Sequence, residues 1–386
     1  MTQPEHHRLA VVGLGALGVL ALEQAARSGI DAVGVDPHPL GHDWGASGGQ
    51  TRIFRMAYKE GAEYLPLLHE AAAYWAEAQS ASDETLWQRT GALAIGRRDD
   101  PEMGTLLQSI ELGGLPSERI RPEEARERWP QHRVADDDIV VADPQGGLLR
   151  PAAVIRTAGA GARAHGAALR LGRRVTRIEE AGDGLRLELD DGTRLTADRA
   201  IVTTGPWIHE LVPSSVPAIE LRRVILHWYP TLDGRLYGPE TFPVGIRRSG
   251  PGRAYSFFPQ IDSMGIKVNF HLPRQTMPSM TVPLAAVDPQ YSRQVSAAIP
   301  ELFSGVRATP SAAAVFVDGY TASGRPVLDR IPGLCGAWML AGGSGQAFKM
   351  APALARIALD AALDRAPLAE DLPLSTLSTM NREATR

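Results

Sequence analysis

The sequence predicts an α/β fold of two domains. One is built on a parallel sheet and assembled from three separated stretches of chain; the other is inserted between them and built on a mostly antiparallel sheet. Three observations predict it. Residues 8–36 read as strand, glycine-rich turn, helix and second strand. The buried strand Ala200-Ile201-Val202 then runs into the small-residue turn Thr203-Thr204-Gly205. Finally, Trp338-Met339-Leu340-Ala341 leads into Gly342-Gly343-Ser344-Gly345 and a helix over Phe348 to Leu363.

In the first unit, Leu9-Ala10-Val11-Val12 is apolar throughout, as a strand covered on both faces must be. Gly13-Leu14-Gly15-Ala16-Leu17-Gly18 follows with G-x-G-x-x-G spacing. Gly13 permits the tight turn, Gly15 leaves bare backbone for a pyrophosphate, and Gly18 lets the helix Val19 to Arg27 pack on the strand. The helix N-terminus then faces the phosphates. Gly29 ends the helix and Asp31 to Val35 forms the second strand. Asp36, followed by Pro37, arrives about 20 residues after the glycines, where a carboxylate accepts both ribose hydroxyls. His6 and His7 read as part of a polar N-terminal tail.

Glu63 to Gln79 reads as an Ala-rich amphipathic helix and Thr90 to Ile95 as a strand entering a new region. Gly113 to Arg133 reads as short surface helices and loops. A helix starts at Arg150-Pro151 and runs toward His165, and Val175 to Ile178 is a strand. Leu185 to Leu189 alternates apolar with polar ahead of Asp191-Gly192, a hairpin signal. Tyr255 to Pro259 and Ile266 to Phe270 are strands of the inserted sheet. The parallel-sheet domain accordingly takes residues 1–88, 149–218 and 320–386, and the inserted domain 89–148 and 219–319.

Composition bounds the function. The chain has 386 residues, 44% hydrophobic, with a net charge of -4, so a sizeable core is available and nothing invites nucleic acid. The Arg-rich stretch Glu118 to Arg128 is balanced by its own glutamates. The uncharged run Leu9 to Leu22 is interrupted by glycines and too short to span a bilayer. The fold begins within the first ten residues with no signal peptide ahead of it, so a cytoplasmic location is expected. The single cysteine, Cys335, excludes an internal disulfide, and no metal site is spelled out. Lys and Arg total 40, yet lysine occurs only at Lys59, Lys267 and Lys349, leaving 40 - 3 = 37 arginines. Where arginine has replaced nearly every generic cation, a surviving lysine is a candidate for chemistry that needs a compact ammonium.

The opening unit alone does not choose between NAD and FAD. FAD lies extended across its domain and is contacted from several chain segments, so the two later strand-to-glycine turns favour FAD. An NAD-dependent dehydrogenase would leave them without a purpose. Gly45-Ala46-Ser47-Gly48-Gly49 formally fits the hydrolase pattern G-x-S-x-G, but no apolar strand leads into it.

Three segments resemble the monomeric sarcosine oxidase and N-methyltryptophan oxidase family of FAD-dependent amine oxidoreductases. They are Gly45 to Tyr58 with Glu60-Gly61 and Glu63-Tyr64, then Gly265 to His271, then Gly342 to Lys349. The resemblance spans nearly the whole chain, and two of the three lysines fall on its motifs. It implies that Lys267 sits near the reactive face of the flavin and promotes dioxygen reduction by stabilising developing superoxide charge. It also implies that Arg55 and Lys349 hold the substrate carboxylate, that His271 lines the substrate cavity, and that Thr51 and Arg52 lie close to the isoalloxazine. The cofactor-binding set is then Gly13, Gly15, Ala16, Leu17, Gly18, Asp36 and Pro37; Ser47, Thr51 and Arg52; Val175, Thr204, Gly205 and Trp207; and Gly343, Gly345, Gln346 and Lys349.

Departures refine the expectation. Oxidases of this group tether FAD through a cysteine, but Phe316 stands at that position, so noncovalent FAD is expected. Two tyrosines that shape the family's substrate pocket appear as Ser256 and Asp318, and a histidine on the flavin loop is Gly48. The loss of three bulky side chains implies a wider, more acidic pocket in which sarcosine is a doubtful substrate, with Asp318 meeting the substrate's amine or a distal polar group. The expected reaction is oxidation of a carbon–nitrogen bond of an amine or amino acid, a secondary or N-methylated one larger than sarcosine, giving an imine and hydrogen peroxide. Expected partners are that small molecule and dioxygen, with no nucleic acid or membrane and a monomeric state. The alternatives are a dehydrogenase using another acceptor and a noncatalytic flavoprotein subunit.

Overall fold

The computed structural model describes residues 5–213, 215–249, 253–271, 275–282 and 284–384, with the side chains of 381–384 left aside. Its first sheet has eight strands. The parallel core runs Ala168–Leu171, Ala32–Asp36, Glu5–Val12, Arg194–Val202, Ala337–Ala341. The hairpin Val175–Ala181 and Gly184–Leu189 adds to Arg194–Val202 antiparallel, and Val327–Arg330 closes the far edge. Alternation along Glu5–Val12 sorts its side chains. Leu9 and Val11 pack under the helices Ala16–Arg27, Pro151–Ala164 and Ala347–Ala362, while Ala10 and Val12 pack toward the hairpin side.

His6 and His7 do not form a tail. Glu5, His6 and His7 pair with Leu195, Thr196 and Ala197, so the strand starts four residues earlier than the apolar run suggests. His7 points inward and is buried, its ring nitrogens 2.8 Å from Asp31 Oδ1 and 3.1 Å from Glu5 Oε1. Backbone pairing with the long strand Arg194–Val202, and two carboxylates for one imidazole, override the polar character that marked the segment as loop.

The second sheet has nine strands and is antiparallel except where Val244–Arg248 runs parallel to Ala92–Arg97. Its central strands are Glu220–Tyr229, Ile266–His271, Ala254–Phe258 and Val244–Arg248, with Ala312–Tyr320 beside Glu220–Tyr229. The register lines up one face of five strands. Arg222 lies opposite Asp318, Val224 opposite Phe316, Trp228 opposite Lys267, Phe258 opposite Lys267, and Ser256 opposite both Asn269 and Ile246. With period-two alternation, Lys267, Asn269 and His271 therefore project from the same face as Asp318, Ser256 and Phe316. That face roofs the principal cavity. A small third sheet, Arg52–Phe54, Gly147–Leu149 and Trp87–Gln88, fixes the start of the segment that carries Arg52 and Arg55.

Candidate active site

A cavity of about 550 Å³ lies between the C-terminal ends of the parallel strands and the roof. Ligands collect there in open α/β sheets because strand ends and helix N-termini point at the same crevice. All three strand-to-glycine turns reach it: Gly13 to Leu17, Thr203 to Trp207, and Gly342 to Lys349 all line its wall.

The first turn is built for close approach. Gly13 has φ +89, and a Cβ there would sit 2.8 Å from Thr203 O. A Cβ on Gly18 would lie 1.9 Å from Gly13 O, so the helix can meet the strand only without a side chain at that position. At Gly15 the nearest atom to a Cβ is Ser47 Oγ at 3.7 Å, which leaves open space at the helix N-terminus. Ser47 accepts from Ala16 N–H at 3.2 Å. The Asp36 carboxylate accepts from Leu14 N–H at 2.7 Å and from His38 N–H at 2.8 Å, which holds it at the cavity wall with lone pairs to spare.

The loop between Gly45 and Thr51 carries no strand into Ser47, so the nucleophile-elbow geometry is absent. Arg52 donates from Nη2 to Gly48 O and Ala46 O and from Nη1 to Thr51 O, and so braces the loop. Lys267 is 3% exposed and donates to Gly49 O at 2.7 Å and Thr51 O at 2.8 Å, its ammonium 3.9 Å from the centre of the Phe258 ring. Burial, with Arg52 and Arg150 nearby, pulls its pKa well below the ordinary lysine value.

Arg55 is 6% exposed and donates from Nη2 to Glu60 Oε2 at 3.1 Å, while its Nε and Nη1 have no hydrogen-bond partner among the described residues. Lys349 donates to Gln346 O at 3.0 Å and lies 3.4 Å from Tyr58 Oη. Desolvation, offset in part by Glu60 and reinforced by Arg55, lowers its pKa to about 7. Glu60, despite burial, is held at about 2 by Arg55 and Lys59. His271 is exposed overall, with its ring Nε2 2.9 Å from Ser256 Oγ; desolvation at the ring, with Lys59, Arg55 and Arg248 around it, lowers its pKa, so the imidazole is neutral near pH 7.

Asp318 lines the cavity, with Oδ1 accepting from Gly319 N–H and Oδ2 from Gly345 N–H, each at 2.8 Å. Burial raises its pKa against those two bonds and the nearby Arg52 and Arg222. The space beside Gly48 is not open: a Cβ there would lie 2.6 Å from the Phe316 ring. Phe316 thus fills part of the room that a smaller residue on the flavin loop would leave, and the widening expected from three lost side chains is confined to Ser256 and Asp318.

Every site residue expected from sequence except Gly18 lines this one cavity; Gly18 instead packs against Gly13 and Thr203 behind the turn. From sequence, Tyr58 and Glu60 stand in a matching segment and Lys59 is one of three surviving lysines, but none of the three was given a role. Tyr58 joins the third turn to the substrate side, donating to Gln346 Oε1 at 2.7 Å. Lys59, the third surviving lysine, bridges Glu60 at 3.2 Å and Glu102 at 2.7 Å. Its rarity was the available signal.

A family model described as FAD dependent oxidoreductase matches residues 8–361. The chain belongs to that family. N-methyl-L-tryptophan oxidase of Salmonella arizonae is 30% identical over 361 residues, covering 93% of this chain and 95% of its own. The enzyme of the same name from Citrobacter koseri is 29% identical over 364 residues, with the same coverages. Among solved structures, NikD, an amino acid oxidase of nikkomycin biosynthesis, superposes with a TM-score of 0.83 at 18% identity, covering 96% of this chain and 97% of its own. L-proline dehydrogenase from P. horikoshii gives 0.80 at 17%, covering 95% and 96%. At those identities the structural likeness speaks for the fold, a two-domain α/β arrangement.

FAD fits the residues present. The glycine cradle at Gly13 to Gly18 leaves room for a pyrophosphate, Asp36 is set for a ribose, and two buried hydroxyls of the cavity wall, Thr51 Oγ1 and Thr204 Oγ1, lack hydrogen-bond partners among the described residues. No helix among the described residues is long and apolar enough to cross a membrane, and no cluster there could hold a metal ion.

Proposed function

We propose that this family member is an oxidase of an amine or amino acid, secondary or N-methylated and larger than sarcosine, that yields an imine and hydrogen peroxide. The observation that carries the reading is the buried Arg55 fork with Nε and Nη1 unpartnered, beside the Lys349 ammonium, in the cavity that also holds the glycine cradle. Two cations with free donors in a desolvated wall are the complement of a carboxylate. FAD, when bound, supplies the acceptor for a hydride equivalent. The chain clamps the substrate's carboxylate with Arg55 and Lys349 and so turns its C–H–N portion inward, under a roof whose neutral His271 and Ser256 keep that region uncharged. Loss of the hydride and the amine proton leaves the imine, and dioxygen takes up the two electrons and two protons as peroxide. Lys267, fixed by two carbonyls, offers the positive charge that favours the first electron reaching dioxygen. Ser47, Thr51, Arg52, Val175, Thr204, Gly205, Trp207, Gly343, Gly345 and Gln346 are proposed as cofactor contacts because all line the same cleft. Asp318 retains a lone pair on each oxygen for the substrate's amine; unchanged kinetics in Asp318→Asn would remove it from that role.

The test is anaerobic mixing of the FAD-loaded protein with secondary and N-methylated amino acids. Bleaching of the flavin by at least one carboxylate-bearing amine, with colour and peroxide returning in air, is expected; a panel that leaves the colour untouched contradicts the reading. The Lys349 pKa of about 7 adds a pH effect. A carboxylate inhibitor without an amine meets the charged form of Lys349 best, so its Kd should rise with pH through about 7. Lys349→Met should flatten that dependence. We also propose a cytoplasmic monomer with noncovalent flavin, supported by the balanced charge and by Phe316 at the tether position. Sedimentation of a species twice the mass of one chain would oppose the monomer.

A further inference from the structure

Lys267 is bound by the carbonyls on either side of one residue, Gln50. Those two oxygens can converge on one ammonium only because the chain reverses between them. Gly49 has φ +92 and Gln50 φ +66, and Thr51 N–H closes the turn on Gly49 O at 2.8 Å. Left-handed backbone is natural for the glycine and unfavourable for a glutamine, one of only three non-glycine residues with positive φ among those described. Such strain persists where the surroundings over-determine it. Here both ends of the Gln50 side chain are tied: Oε1 accepts from Trp228 Nε1 at 2.8 Å and Nε2 donates to Asp262 Oδ2 at 2.9 Å. Trp228 is itself the cross-strand neighbour of Lys267, so the anchor and the ammonium share one piece of the roof.

We propose that Gln50 is a positioning residue for dioxygen reduction: its two side-chain hydrogen bonds hold a strained turn whose flanking carbonyls fix the Lys267 ammonium at the cavity and keep it charged. This rests on the role given to Lys267 above. The carbonyls are needed because burial and two neighbouring guanidinium groups work against the ammonium's charge. Arg52 from the same loop and Arg150 from the start of Pro151–Ala164 repel it, Phe258 from the adjacent strand offers only its ring face, and Asp43 is the sole carboxylate that contributes in its favour.

The chain's three lysines make the claim readable without turnover. With lysine labelled in its side-chain methylene carbons the chain gives three lysine signals, and Lys267→Met identifies the one that belongs to Lys267. Gln50→Met keeps the size of the side chain but loses both anchors while the backbone strain remains. It should lower the Lys267 midpoint by about one pH unit, leave Lys59 and Lys349 in place, and slow reoxidation of the reduced holoenzyme by dioxygen roughly tenfold with FAD content and anaerobic reduction unchanged. Gln50→Gly adopts the same turn without strain and should stay within about threefold of the parent in both readouts. Trp228→Phe, which removes one anchor, should shift the midpoint in the same direction by less, and it serves if Gln50→Met does not fold. A Lys267 midpoint unmoved when the anchors are lost, or a Gln50→Gly protein as impaired as Gln50→Met, overturns the assignment. A shifted midpoint together with full reoxidation in Lys267→Met would keep the positioning of the ammonium and instead refute its part in oxygen chemistry.

Discussion

Replacing Lys267 with methionine should slow reoxidation of the reduced enzyme by dioxygen about 10²- to 10³-fold, the usual consequence of removing one preorganised electrostatic group from a water-poor site. Reduction by substrate should be nearly unaffected. The asymmetry follows from position. Lys267 is held by Gly49 O and Thr51 O over the Phe258 ring, whereas the proposed carboxylate clamp uses the Arg55 and Lys349 side chains elsewhere in the cavity wall. A methionine of similar length preserves the packing beneath Trp228 and removes only the charge. Stopped-flow mixing of photoreduced enzyme with oxygenated buffer reads one half-reaction, and anaerobic mixing with substrate reads the other. Equal losses in both would discredit the assignment.

Arg55→Met should lower kcat/KM by about 10² to 10⁴. Two charge-assisted hydrogen bonds to a carboxylate contribute about 3–6 kcal/mol together, each at about 1.5–3 kcal/mol. Part of the loss arises elsewhere. Glu60 is kept ionised by Arg55 ahead of Lys59, so removing the guanidinium leaves a partly buried carboxylate with one cation fewer. The companion Arg55→Met/Glu60→Gln protein should therefore recover stability without recovering affinity. Thermal melting and steady-state kinetics on the two variants separate the contributions. A kcat/KM within threefold of the parent in Arg55→Met would place the carboxylate elsewhere.

Much of this site was legible in the sequence because its determinants are local. A glycine with no room for a Cβ, as at Gly13 and Gly18, is written in the chain, and so is a strand that ends in one. Lysine's rarity among 37 arginines made all three lysines candidates, and the family motifs on which Lys267 and Lys349 fall singled out those two before any packing was known. What was not legible depends on partners distant in sequence. His7 looks like tail until Leu195 to Ala197 arrive beside it. Gly48 looks like added space until the Phe316 ring occupies it. Gln50 looks like an ordinary loop residue, and its left-handed backbone is set by Trp228 and Asp262, about two hundred positions away. Asp318 reads as a free carboxylate, yet its oxygens brace the Gly345 and Gly319 amides. Periodicity gives the face on which such a residue stands; only the register between strands gives its neighbour.

The account's central claim is that three distant turns grip a single flavin without a covalent bond. The most direct measurement is the visible spectrum of the folded, purified protein, repeated on the supernatant after acid precipitation. One equivalent of FAD per chain, all of it released into the supernatant, is the expected result. A well-folded protein that carries no flavin and takes none up, or colour that stays with the precipitate, would contradict it.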